Sequence, residues 1–205
     1  MVDVLTSSPS DVDITSYDIV FVGTNINCSL ANGFQHDMKM VYPILQKINM
    51  DTQYGDPKKL GEIIETRVGE QLVILGFITR GNFRPDLKSD TLDYSALERC
   101  LRLIDIKYKG KSLITSLVGC SKFDGNGDRD KVMELITKST PNLNVTLLDY
   151  TQKSYNEILL GYVKHIMSLK NNDKEAYKNA CREYKEFKVK LKKINNLKEY
   201  NEKNT

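Results

Sequence analysis

Asp18 to Pro43, DIVFVGTNINCSLANGFQHDMKMVYP, decides how the chain is read. Asp18 to Gly23 is a short apolar run rich in β-formers, which predicts a buried strand. Asn25, Asn27, Ser29 and Asn32 then make a polar loop, and Gly33 opens a helical pattern. Phe34, Met38, Val41, Leu45 and Ile48 recur in steps of four and three, so one helical face is apolar, and Pro43 should stop or kink the helix after Tyr42. A loop that empties onto a helix N-terminus presents unpaired backbone N–H groups at the positive end of a dipole, the makings of an anion or phosphate site. Many α/β proteins carry such a loop with no ligand in it, so the stretch speaks for a fold before it speaks for a function.

Outward from that stretch, Val2 to Thr6 reads as a first strand and Ser7 to Ser16 as a loop. Asp51 to Lys59 is a connection. Glu62 to Val68 and Gln71 to Thr79 then predict two strands joined by a tight turn at Gly69. The second of these, QLVILGFIT, is apolar almost throughout, which suits a strand covered on both faces. Arg80 to Thr91 is a polar loop, and Asp93 to Ile106 is a helix whose apolar side is Leu97, Leu101 and Ile104. Ser112 to Val118 predicts another buried strand. It runs into Gly119 to Asp130, GCSKFDGNGDRD, a second glycine-bearing loop that ends at a helix over Lys131 to Lys138; Asn144 to Leu148 is the closing strand. Strands alternating with helices predict an α/β fold, a three-layer α/β/α arrangement with a mixed central sheet. In such sheets ligands sit outside the strand C-terminal ends, where both glycine-bearing loops should emerge.

At 205 residues and 40% hydrophobic content, the chain is long enough for one α/β domain over 1–150 and an appendage over 151–205. No apolar run approaches the roughly 18 residues of a membrane helix, and no basic start precedes an apolar core. A cytoplasmic location without membrane contact is therefore expected. Cys28, Cys100, Cys120 and Cys181 are far apart, and His36 and His165 are the two histidines. That pattern suggests neither a disulfide framework nor a structural metal, and no cofactor is expected. The net charge of +3 hides an asymmetry: residues 164–205 hold 12 Lys/Arg against 6 Asp/Glu, and the preceding part 18 against 21. The basicity belongs to the tail, so a globally basic nucleic-acid binder is a poor description of the main domain. The Lys/Asn-rich composition is compatible with a phage or an AT-rich genome.

Beyond Tyr150 the pattern becomes helical. Ile158, Leu159, Tyr162, Val163 and Ile166 suggest one helix; after Asn171-Asn172-Asp173 a second carries Tyr177, Cys181, Tyr184, Phe187, Leu191, Ile194, Leu197 and Tyr200 in steps of three and four. This predicts a basic amphipathic helical extension. Its apolar stripe is expected to pack against protein, by self-association or on a partner, with nucleic acid left open.

Several motifs in order resemble the macro domain family, the ADP-ribose-binding fold, in particular the branch of ADP-ribose 1''-phosphate phosphatases and the terminal ADP-ribose protein glycohydrolase. Asp18-Ile19-Val20 resembles the family's D-A-I-V strand, and Asn27-Cys28, Gly33 and Tyr42-Pro43 resemble its asparagine, glycine-rich loop and Y-P helix end. Leu60-Gly61, Gly76-Phe77-Ile78-Thr79 and Asp93-Tyr94-Ser95-Ala96-Leu97 follow in the family's order. Val118-Gly119-Cys120 resembles its I-G-C-G phosphate loop, and Asn144 to Tyr150 its closing strand. The resemblance spans residues 12–150 and implies a macro-like domain that binds ADP-ribose or a derivative. It also implies that Asn27 bonds the distal ribose, with Asn25, Asn32 and Phe34 alongside. Backbone N–H groups near Gly33 and at Gly119, Cys120, Ser121, Lys122 and Phe123 would hold the diphosphate, and an aspartate near the N-terminus, Asp13 or Asp3, would read adenine.

The departures bear on chemistry. Gly23 stands where the phosphatases have a histidine, and Arg80 where the glycohydrolase has its attacking lysine. Arginine stays protonated and is a poor nucleophile, so Arg80 reads as an electrostatic clamp on phosphate. Asp124 lies one residue from the position of the glycohydrolase's catalytic aspartate. A carboxylate there can activate water as a general base, or else simply cap a turn, and Asp128 is the next candidate. Asp124, Asn126, Asp128 and Asp130 also spell part of a calcium loop, but Arg129 and Leu135 stand where an EF-hand needs Gly and Glu. Cys28 and Cys120 read as buried, inert thiols. Three functions are carried forward: a hydrolase of ADP-ribose 1''-phosphate or of ADP-ribosylated macromolecules, a non-catalytic reader or sequestering protein, and an interaction protein acting through its helical tail.

Overall fold

The structure, a computed structural model, describes residues 2–7, 9–31, 33–81, 91–121 and 125–149, and beyond them 166–167, 174–182 and 184–185. The chain divides into two compact units, Met1–Tyr150 and Thr151–Thr205. In the second, residues 174–182 are helical, while the expected stripe from Phe187 to Tyr200 lies outside the described residues. Among the described residues no helix is long and apolar enough to cross a membrane.

The first unit holds β1 (Val2–Leu5), β2 (Ile19–Asn25), β3 (Ile63–Val68), β4 (Gln71–Thr79), β5 (Ser112–Ser116) and β6 (Asn144–Leu148) in one sheet of order β1-β6-β5-β2-β4-β3. Every neighbouring pair is parallel except β3 and β4, which form a hairpin around Gly69 at φ +63°. Four helices cover the sheet: α1 (Gly33–Val41), α2 (Ile44–Met50), α3 (Tyr94–Lys107) and α4 (Arg129–Ser139).

The continuous apolar runs of β2 and β4 have a simple cause, since every residue of both strands is buried. Ile19 and Phe21 of β2, with Leu72, Ile74 and Ile78 of β4, share one core with Leu97, Leu101 and Val132. Val20, Val22, Val73 and Leu75 alternate with them into a second core, shared with Phe34, Met38 and Leu45. Alternate side chains therefore feed opposite layers, which makes the molecule three-layered.

Proline ends α1 as the sequence predicts, but the break also changes which residues face inward. Phe34, Met38 and Leu45 are buried, while Val41, part of the same stripe on paper, is 50% exposed. The stripe belongs to two helices with different axes. Tyr42 beyond α1 donates its hydroxyl to Gln71, whose amide nitrogen donates to the carbonyls of Ile14 (2.7 Å) and Tyr17 (2.9 Å). Those bonds pin the segment before β2 to the amino-terminal end of β4.

Candidate functional site

Because β5, β2 and β4 are parallel neighbours, the connections leaving Ser116, Asn25 and Thr79 start side by side at one edge. Backbone bonds then tie them together. Ile26 N–H donates to Thr79 O (3.1 Å), Arg80 N–H to Thr91 O (3.1 Å), and the N–H groups of Thr91 and Leu92 both donate to Gly125 O (2.8 and 3.1 Å).

The loop after β2 is built around one side chain. Asn25, 8% exposed, accepts from the N–H of Asn27 (3.0 Å) and of Ser29 (3.2 Å) through Oδ1 and donates Nδ2 to Ser29 O (2.8 Å). An asparagine that bonds backbone two and four residues ahead folds the chain into a turn. Asn25 therefore holds the loop. Asn27 is half-buried at the same edge, with its amide beside Gly81 and Gly55. Gly33 then begins α1 at φ +52°, with open space where a Cβ would stand and no acidic residue in the first turn. That helix start keeps its positive dipole end uncompensated by its own sequence. Phe34 turns its ring, 5% exposed, into the core beneath α1, which leaves its backbone at the helix start. Asn32 lies outside the described residues.

The loop after β5 is built instead from backbone. Gly127 N–H donates to Gly119 O (2.9 Å), and the N–H groups of Gly125 and Asn126 donate to Ser121 O (3.1 and 3.0 Å). Gly119 sits at φ +73°, and a Cβ on Gly125 would come 2.5 Å from Gly119 O, which only hydrogen allows. Leu92 packs under both strands of this loop, within 2.7 Å of a Cβ at Gly119 and 2.5 Å of one at Gly127. Cys120 spends its N–H on Leu117 O (3.2 Å), a turn inside the loop. Asp128 caps α4, accepting from Lys131 N–H (2.9 Å), while its own N–H donates to the Tyr94 hydroxyl (2.9 Å). Asp128 thus serves the helix start as its cap. Lys122, Phe123 and Asp124 lie outside the described residues.

Two expected residues sit elsewhere, and one sits where expected with a partner. Asp13 caps a 3-10 turn through Thr15 N–H (3.1 Å), one residue before the Ile14 carbonyl that Gln71 holds. Gln71 opens β4, so Asp13 is at the amino-terminal edge, about 26 Å from the other end at roughly 3.3 Å per residue. It cannot read a base in the cleft. Asp3 is exposed in mid-strand, opposite Thr146 on the edge strand β1. Arg80 follows β4 at the expected edge, its guanidinium 3.2 Å from the Asp93 carboxylate and its side chain 61% exposed. Gly23 has a packing reason: a Cβ there would lie 2.5 Å from Ile78 Cδ1 and 2.9 Å from Val118 Cβ, so the space beside it is filled from neighbouring elements.

No protein-family model and no curated protein matches the sequence. Solved structures do match. A Bacteroides thetaiotaomicron protein of unknown function superposes with a TM-score of 0.60 at 14% identity, covering 73% of this chain and 98% of its own. The macrodomain of Thermus aquaticus DarG gives 0.52 at 12% identity over 74% of this chain and 98% of its own. The fold is a macrodomain fold. A further macrodomain-like match, Thermosipho africanus DarTG in complex with ADP-ribose, gives 0.51 at 14% identity over 66% of this chain and 39% of that one. At such identities the macrodomain likeness is a statement about architecture, and function has to be argued from the edge just described.

Sequence reasoning missed the residues that connect the loops. Leu92 and Gly81 carry no motif, and the half-buried sulfurs of Cys28 and Cys120 were expected inside. The spacing of Asn25, Asn27 and Ser29 did carry a signal, since asparagine just before a polar loop is an Asx-turn pattern.

Proposed function

We propose that this chain binds ADP-ribose or an ADP-ribosyl group in the cleft between the loops after β2 and β5. The observation that carries the reading is the start of α1: an N-terminus opened by Gly33, with no acid in its first turn, at the same sheet edge as a glycine-closed loop. Adjacent backbone donors of this kind suit a diphosphate. Asn27 is assigned to the distal ribose. Arg80 is assigned to phosphate oxygens, because its exposed pair with Asp93 is weak and exchanges partners at little cost. Calorimetry with ADP-ribose tests the reading: wild type should bind, and Asn27→Ala should weaken binding by about 1–3 kcal/mol through loss of a buried hydrogen bond. Absence of heat and of thermal stabilisation at millimolar ADP-ribose would overturn it.

A second step, hydrolysis, is favoured by the anchoring of the loop after β5. Asp124 adjoins Gly125, whose N–H and C=O are both fixed by backbone bonds at this edge. With glycine at position 23 and Asp128 capping α4, we assign the general base to Asp124, taking a proton from the water that attacks the anomeric carbon or the terminal phosphate. Turnover of ADP-ribose 1''-phosphate and of an ADP-ribosylated peptide should fall about a hundredfold in Asp124→Ala with affinity kept. No turnover by wild type on either substrate leaves a reader or sequestering protein in its place.

A further inference from the structure

Behind the loop after β2, on the side of α2, lies a cavity of about 460 Å³ lined by Cys28, Thr52, Lys39, Gln46, Met50 and Tyr54 among others, with no carboxylate among the described lining residues. At its wall the Cys28 sulfur meets the Thr52 hydroxyl at 3.2 Å and accepts a hydrogen bond from Lys59 Nζ at 3.3 Å; Nζ also donates to Thr52 Oγ1 at 2.9 Å. Lys59 is only 9% exposed, and its ammonium stands 4.7 Å from the centre of the Phe77 ring. Among the described residues no carboxylate pairs with it. A lysine nitrogen within hydrogen-bond reach of a sulfur favours the negative charge that the sulfur carries as it attacks. The sulfur is half-buried at a cavity with room for a small molecule, and Lys39 adds a second cation to the lining.

We propose that Cys28 is a thiol-modification site whose sulfur is held by Lys59 Nζ, and that the adjoining cavity receives low-mass disulfides bearing carboxylates. Cys28 gives its proton to solvent and its sulfur attacks one sulfur of the disulfide; the S–S bond breaks, a new S–S bond joins half of the reagent to Cys28, and the other half leaves as thiolate and takes up a proton. No external electron carrier is needed. The cavity shares Asn27 with the proposed ADP-ribose site, but the sulfur chemistry needs no bound ADP-ribose. The other sulfurs are internal controls: Cys120 is also half-buried, and burial pushes the Cys100 thiol up to about 12, which leaves it unreactive at neutral pH.

The test is intact-mass and peptide-mapping kinetics on the full chain with oxidised glutathione, in parallel with the cationic disulfide cystamine. The expected result is a mixed disulfide at Cys28 forming at least about tenfold faster than at Cys120, and slowed on the order of tenfold by Lys59→Met. Lys39→Glu should slow the glutathione reaction and not the cystamine one. Equal rates at Cys28 and Cys120 in the wild-type protein overturn the proposal, whether or not Lys59→Met folds. A Cys28 that reacts faster with cystamine than with oxidised glutathione overturns its assignment to anionic reagents.

Discussion

The two loops at the candidate site stand on neighbouring strands and are held by opposite means. After β2, a single buried side chain, Asn25, makes three hydrogen bonds to the loop backbone. After β5, glycine backbone lies on glycine backbone over Leu92. A side-chain staple concentrates a loop's integrity in one residue, whereas a glycine stack spreads it over several positions, each intolerant of a single added carbon.

The hardest blow to that contrast is Asn25→Ala. It strands the N–H groups of Asn27 and Ser29 together with the Ser29 carbonyl, so a loss of about 2–4 kcal/mol in denaturant unfolding is expected, along with ADP-ribose binding. A loss below about 1 kcal/mol would mean that the loop is held by something else. Next comes Gly125→Ala, whose Cβ would meet Gly119 O at 2.5 Å. That neighbour is backbone and cannot step aside, so about 1–3 kcal/mol is expected. Gly127→Ala meets Leu92 Cδ2, the far end of a side chain, and should cost less; the reverse order would break the backbone-stack description. Gly33→Ala sharpens the comparison from the other side. Space is open there, so only the left-handed φ is penalised, at about 1 kcal/mol in thermal or chemical denaturation.

The smallest effect is electrostatic and belongs to the opposite edge. Asp18 accepts from Ser112 N–H and Oγ and pairs with Lys111, bonds that lower its pKa from 3.8 to about 2. A depressed carboxylate contributes stability above its unfolded value that disappears as pH falls through the folded one. Wild type should thus lose its advantage over Asp18→Asn between about pH 4 and 2, by under about 1 kcal/mol because the pair is largely exposed. A stability difference independent of pH would show that the Asp18 bonds act by shape alone.

How much of this was legible follows from where each signal is written. The apolar runs of β2 and β4, the turn at Gly69, the stop at Pro43 and the helix start at Asp93 are local properties, encoded by periodicity and backbone preference, and the fold was readable from them. The site was readable only as an edge. Asp13 looked like a base-reading residue because its neighbours in sequence match a motif, but the bonds of Gln71, 57 residues from Ile14, hold it at the wrong end of the sheet. Asp128 looked catalytic by composition, yet any aspartate just before a helix is first of all a cap. Lys59 and Cys28 are 31 residues apart, and no spacing rule joins them.

Gly23 and Gly76 face each other across the β2–β4 ladder, and each lacks room for a carbon: Ile78 and Val118 fill the space above one, and the Phe21 ring fills it above the other. A side chain at position 23 has room only where Ile78 and Val118 are both trimmed, and trimming either one by itself leaves a cavity in the core. Chemistry placed on this strand would therefore demand coordinated changes on three separate segments, β2, β4 and the turn after β5.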